Sequence, residues 1–200
     1  MSVMIRESPI SPRDVLWKNS LPATWKVLPL KRATIHLSRG IAPEYGIDSA
    51  VQVLNQACVQ WSGIVPENCK YHVNPHVQST KGYLRRGDVV MNSTGTGTLG
   101  RTGYFDIPGT WIADAHITIV RPLPNVFASR YLHFLLGSIP VQEHIYATMA
   151  VGATNQIELN INKLGDLKVL CPPCPSNAPS PPTSTARPRA SMHWWRRSSG

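Results

Sequence analysis

The stretch Leu84-Arg85-Arg86-Gly87-Asp88-Val89-Val90-Met91-Asn92-Ser93-Thr94-Gly95-Thr96-Gly97-Thr98-Leu99-Gly100-Arg101 decides the fold class. Arg86-Gly87-Asp88 is a turn, and the unbroken apolar run Val89-Val90-Met91 reads as a buried strand. Ser93 to Arg101 is a Gly/Thr-rich loop, and Gly103-Tyr104-Phe105 starts the return strand. Downstream, Ile112, Ala115, Ile117 and Ile119 interleave with polar residues, so the pattern from Trp111 to Val120 predicts one strand, ended by Arg121-Pro122-Leu123-Pro124. Tyr131, Leu132, Leu135, Leu136 and Ile139 then recur at three- and four-residue spacing, which predicts a helix from 128, with a second helical piece over Val141–Met149. Ile157–Ile161 alternates as a strand, Asn162–Gly165 is a short turn or helix start, and Leu167–Leu170 a closing strand.

Upstream, residues 66–82 are polar and form an exposed connection, while Ser49–Val65 holds one or two strands. Ser38 to Gly46 has the Gly/Pro punctuation of a loop, Lys26–Leu30 reads as a strand, and residues 1–20 form a lead-in segment. Strands, then helix, then strands, without regular βαβ alternation, argue for a mixed α+β domain.

The chain has 200 residues, of which 42% are hydrophobic and 16% charged, enough apolar content for a true core. Its net charge of +9 is unevenly spread. Residues 171–200 contain Arg187, Arg189, Arg196 and Arg197 and no acid, whereas residues 1–170 hold 16 Lys and Arg against 11 Asp and Glu. The body is thus moderately basic, which favours polyanionic partners without specifying a fold. Apolar runs are too short for a membrane helix, and the N-terminus lacks the apolar stretch of a secretory signal, so the expected location is cytoplasmic, with free thiols at Cys58, Cys69, Cys171 and Cys174.

Several residue groups bear on chemistry. In the loop 93–101, glycines can let backbone N–H groups approach a phosphate or base edge, and Arg101 can pair with guanine or a phosphate; equally, the glycines can serve only to permit positive φ in a hairpin loop. The loop lacks the Gly-Lys-Ser/Thr of a nucleotide-hydrolysing P-loop. Cys69, His72 and His76, with Cys58 upstream, have metal-ligand spacing and define an alternative reading as a zinc-stabilised interaction module. Cys171-Pro172-Pro173-Cys174 has redox spacing, but its prolines oppose the helix start that would activate a thiol. Asp88, Asp106, Asp114 and His116 are scattered acid–base candidates, with Asp114 and His116 on one face of the predicted strand. No catalytic constellation emerges, and no cofactor is expected.

The ordered landmarks Leu21-Pro22-Ala23-Thr24-Trp25, Ser38-Arg39-Gly40-Ile41, Leu84–Gly95, Leu99-Gly100-Arg101, Asp114–Pro122, Gly152–Gln156 and Leu164–Pro173 together resemble the specificity subunits of type I restriction–modification systems, over about residues 20–173. The resemblance implies a target-recognition domain over residues 21–173, with a curved, mostly antiparallel sheet, a helix pair around 128–149 and DNA-facing loops at 38–46, 70–86 and 93–101. It would read one half of a bipartite duplex DNA target as a non-catalytic component, while methyltransferase and restriction subunits do the chemistry. Candidate contacts are Lys31, Arg32, Arg39, Lys70, Lys81, Arg85 and Arg101 for phosphates or guanines, and Thr94, Thr96 and Gln156 for bases.

After Pro173 the resemblance stops, and the Pro/Ser/Arg-rich residues 174–200 are expected to be disordered. The codons of Met192-His193-Trp194-Trp195, read from each third base, encode Ala-Leu-Val. Permitted codons across the tail extend this into an amphipathic helix of the spacer type found in that family. One base lost near Pro173 would explain the tail, and loss of the helix would impair docking of the partner subunits. A fragment so altered could also be non-functional.

Overall fold

The structure, a computed structural model, describes residues 22–73, 80–124, 126–152 and 157–173. In chain order its strands are β1 (Lys26–Pro29), β2 (Thr34–Arg39), β3 (Tyr45–Gly46), β4 (Val51–Leu54), β5 (Val59–Gln60), β6 (Gly63–Ile64), β7 (Lys70–His72), β8 (Val89–Asn92), β9 (Thr102–Tyr104), β10 (Thr110–Ala113) and β11 (Ile117–Pro122). Helices α1 (Ser129–Gly137) and α2 (Ile139–His144) follow, and a π-helical turn over Ile145–Met149 extends the second. Then come β12 (Ala150–Val151), β13 (Glu158–Leu159), α3 (Ile161–Asp166) and β14 (Lys168–Cys171). The fold is mixed α+β, as the order of elements in the sequence predicts, with the mostly antiparallel pairing that the resemblance implies. Among the described residues no helix is long and apolar enough to cross a membrane.

A four-stranded antiparallel sheet, ordered β2-β11-β8-β9, forms the centre. Its strand β8 is buried on both faces, which is why Val89-Val90-Met91 shows no alternation. Val89 and Met91 join a core with Leu132, Leu136, Ile145, Leu164 and Val169, under the helices. Val90 points the other way, into a second core with Leu54, Val59, Phe105, Trp111 and Ile119. That second core is covered by a mixed sheet, ordered β10-β4-β7-β3, in which β10 and β4 run parallel.

The single strand predicted over Trp111–Val120 is two strands in two sheets, β10 and β11. Asp114 makes the break: its Oδ1 accepts the His116 backbone N–H at 2.8 Å, and its carbonyl accepts that of Ile117 at 3.1 Å. This local side-chain turn competes with the ladder and sends the chain across to the central sheet. Asp114 and His116 therefore share a turn, not a strand face. Strand β2 runs from a stretch the pattern left unassigned into Ser38–Arg39, the start of the predicted loop 38–46, whose end forms β3; the absence of buried residues in β2 explains the weak signal. Ser49–Val65 holds β4, β5 and β6, and the connection 66–82 contains β7.

Helix α1 begins where Ser129 follows the extended Ala128 and buries Leu132, Leu135 and Leu136 at the predicted spacing. Pro140 sits in the first turn of α2, where its missing N–H costs nothing. Helix α3 is capped by Asn160, whose side-chain oxygen accepts the N–H groups of Asn162 and Lys163 at 3.1 Å each. Strands β1 and β14 pair antiparallel, Lys26 opposite Cys171, so both ends of the described body leave side by side.

Candidate nucleic-acid interface

The Gly/Thr loop joins β8 to β9, and its conformation follows from its glycines. Gly95, Gly97 and Gly100 have φ of 91°, 79° and 86°, a region that costs other residues about 1–2 kcal/mol. The loop is braced from outside: Gln56 Nε2 donates to the Thr94 carbonyl at 2.6 Å and to Thr98 Oγ1, and Thr98 Oγ1 donates to the Thr94 carbonyl at 2.8 Å. On the opposite side, Gln142 Nε2 of α2 donates to the Gly100 carbonyl at 2.9 Å. The glycines thus permit positive φ in the loop, and they shape one wall of a cleft.

That cleft has a volume of about 690 Å³ and is lined mainly by residues with polar side chains. The loop contributes Gly95, Thr96, Thr98 and Arg101; the segment 55–70 faces it with Asn55, Gln56, Ala57, Gln60, Asn68 and Lys70; Tyr45, Asp114 and His116 complete the lining. Arg101 is held by both walls, donating from Nη1 to Gln60 Oε1 at 2.6 Å and from Nη2 to the Gly97 carbonyl at 3.1 Å. Lys70 Nζ lies over the Tyr45 ring, 4.6 Å from its centroid. The exposed His116 bonds Thr94 Oγ1 through Nδ1 at 3.0 Å.

Asp114 lies in the cleft lining, 3% exposed, and accepts the Tyr45 hydroxyl at 3.2 Å. Burial raises its carboxyl above the ordinary carboxylate range, against the opposing pull of the His116 backbone N–H and the nearby His116 and Lys70 charges. Burial and the adjacent Asp114 push the Tyr45 hydroxyl up to about 12. The cleft therefore carries cationic side chains and hydroxyl and amide groups around one largely occluded acid.

Of the sequence candidates, the structure brings Lys70, Thr96 and Arg101 into this cleft, with Thr94 bonded to its rim residue His116. Lys31 and Arg32 lie elsewhere, on a short helical turn over Leu30–Arg32, where Lys31 pairs with Asp166 at 2.5 Å. Arg39 donates from Nη2 to Glu158 Oε2 and to the Leu159 carbonyl, both at 3.1 Å, so it ties β2 to β13. Lys81 is on the turn Thr80–Gly82, and the exposed Arg85 precedes β8. Gln156 and His76 lie outside the described residues. The cleft residues missed from sequence, Tyr45, Asn55, Gln56, Gln60 and Asn68, come from separate short elements and carry no shared spacing that could have revealed them.

The other chemical candidates find structural surroundings. Asp88 is a buried partner of Arg121, at 2.7 Å, and Asp106 pairs with Arg86 at 2.5 Å. Cys58 is fully buried in the second core, where desolvation pushes its thiol up to about 11, unfavourable to a metal-binding thiolate. His72 is 8% exposed, with Nδ1 2.9 Å from the Glu44 carbonyl oxygen. Among the described residues no three His, Cys, Asp or Glu side chains converge in metal-binding geometry. Cys171 is buried in β14 and not at a helix start, with its thiol also raised to about 11; Cys174 lies outside the described residues.

No protein-family model matches the sequence, and no curated protein sequence matches it. Solved structures do match the fold. The HsdS subunit from Thermoanaerobacter tengcongensis aligns with a TM-score of 0.58 at 17% identity, over 78% of this chain and 39% of that one. A chain from work on complex assembly and conformational transition of the type I R-M system aligns with a TM-score of 0.59 at 14% identity, over 78% of this chain and 40% of that one. The chain thus spans about two-fifths of the length of these solved chains. Over 78% of its length, it shares the fold of part of a type I restriction–modification specificity subunit.

Proposed function

We propose that residues 21–173 form a target-recognition domain that binds duplex DNA through the cleft beside the Gly/Thr loop and reads one half of a bipartite site. The observation that carries this reading is the gathering of Lys70, Thr96, Arg101 and His116 from three separate segments into one cleft lined mainly by residues with polar side chains. Lysine and arginine neutralise phosphates, while hydroxyl, amide and imidazole groups meet base edges. The fold likeness supports the same role. The chain supplies recognition and no catalysis, and methyltransferase and restriction subunits of a type I complex are its proposed partners. Its methyltransferase assay without partners is expected to be blank.

The test is a fluorescence-anisotropy titration of the full chain with mixed-sequence duplex DNA. Binding is expected at about 50 mM salt and should weaken steeply by about 200 mM, because each neutralised phosphate adds roughly −0.9 to the slope of log K against log salt. Absence of binding at low salt would mean that the chain does not read DNA, as expected of a non-functional fragment.

A further inference from the structure

At one edge of the cleft stands a hairpin with an unusual tip. Strands β5 and β6 pair with Val59 opposite Ile64 and Gln60 opposite Gly63, leaving Trp61 and Ser62 as the two turn residues. Gly63 at φ 120° gives the turn its exit. Trp61 is 58% exposed, whereas Trp111 in the adjoining core is 2% exposed. An indole offers 150–250 Å² of burial on the usual scale for aromatic side chains, roughly, so leaving it in water forgoes a large stabilisation.

The hairpin beneath the tip is fixed. Val59 and Cys58 are fully buried in the second core. Asn92 Nδ2 donates to the Val59 carbonyl at 3.3 Å, and the Val65 N–H donates to the Cys58 carbonyl at 2.8 Å. Ile64 lies so close over Gly103 that a Cβ there would be 2.6 Å from Ile64 Cγ1. Gln60, next to Trp61 in the chain, accepts the Arg101 guanidinium and lines the cleft. A rigid support therefore holds an exposed indole one residue from the cationic wall.

Building on the DNA-binding reading above, we propose that Trp61 contacts a nucleobase, its indole face stacking on a base of the DNA held by the cleft. Every base has a π-face, so such a platform adds affinity without demanding one sequence. The neighbouring charges select this occupant. Arg101 and Lys70 would hold the phosphate backbone beside the tip, and the residues flanking the indole, Gln60 and Ser62, are polar. An apolar protein partner would instead match a broader apolar patch around Trp61.

The experiment compares the full chain with W61A and W61F by anisotropy on a mixed-sequence duplex and on the same duplex carrying one mismatch, which supplies a base that is easier to unstack. Loss of one stacked base should weaken W61A roughly 5- to 150-fold, with W61F keeping most of the affinity. The slope against salt should stay unchanged in both, since no phosphate contact is removed. The wild type should prefer the mismatched duplex, and W61A should lose that preference. The thermal midpoint should not move, because the side chain is exposed. If the wild type binds DNA and W61A matches it within about twofold, or keeps the mismatch preference, or loses affinity with an altered salt slope, the stacking role is overturned while the cleft reading stands. If the wild type binds neither duplex at low salt, the cleft reading fails and this inference falls with it.

Discussion

Asp88 accepts the Arg121 side chain at 2.7 Å and 2.8 Å, and the Arg85 backbone N–H at 2.8 Å, with 1% of its own side chain exposed. Arg121 also donates to the Tyr83 carbonyl at 3.0 Å, so the pair joins β11 to the turn before β8. Arg121→Met would leave a buried carboxylate without its counter-charge, and such uncompensated burial typically costs about 3–5 kcal/mol. Urea unfolding at neutral pH should show a loss of that size; a loss under about 1 kcal/mol would mean that the Arg121–Asp88 pair does not hold β11 to the turn before β8. Asp114 makes the opposite case. Its folded carboxyl titrates above the ordinary value of 3.8, so the folded state holds its proton more tightly than the unfolded state. The stability that this proton contributes is fully present below pH 3.8 and is lost as pH rises through the raised value. Asp114→Asn keeps a side-chain acceptor for His116 and Tyr45 but has no proton to lose. The stability of D114N relative to wild type should therefore increase as pH rises from the ordinary carboxylate range, then level off. A pH-independent difference between the two would contradict the desolvation of Asp114.

At the level of elements, the loop 93–101 depends on glycine in two distinguishable ways. Gly97 has positive φ and open space around an added Cβ, so Gly97→Ala should cost only the conformational term, about 1–2 kcal/mol. Gly100 has positive φ as well, but an added Cβ would overlap Gln142 Oε1. Gln142 cannot swing aside freely, because its Nε2 donates to the carbonyls of Gly100 and Leu136. Gly100→Ala should thus destabilise more than Gly97→Ala in thermal or urea unfolding; equal losses would show that α2 does not brace the loop. Such elements were legible to different degrees. The run Val89–Met91 and the spacing of Leu132, Leu135 and Leu136 announce their elements because burial alone sets those patterns. The break at Asp114 is invisible to periodicity, since one carboxylate bonded to the N–H two residues on overrides an alternation that continues on both sides. The cleft was legible only in part. Basic and hydroxyl residues at 70 and 93–101 attract notice by type, whereas Arg39 and Lys31 looked equally suited and are held by Glu158 and Asp166, partners 119 and 135 residues away. Long-range pairing of that kind is decided by topology, which no local pattern encodes.

For the whole molecule, association with DNA is governed by which charges remain available at the cleft. Lys70 makes a cleaner probe than Arg101, because its contact is the face of Tyr45, whereas Arg101 also joins the two walls. Lys70→Ala should weaken binding about equally across duplex sequences and reduce the salt slope by about 1, the signature of one lost phosphate contact. An unchanged slope would remove Lys70 from the phosphate-binding set. The pairing of β1 with β14 has a different reach. Lys26 lies opposite Cys171 and Pro29 opposite Lys168, so tension applied through the two flanking segments acts at the same end of one short antiparallel ladder. Pulled this way, the rungs open in succession, like a zipper, and never share the load as they would in shear. In an optical trap gripping both flanks, the first yielding event should come at low force and release β1 and β14, drawing Leu28, Val169 and Cys171 out of the first core while the second core is still packed.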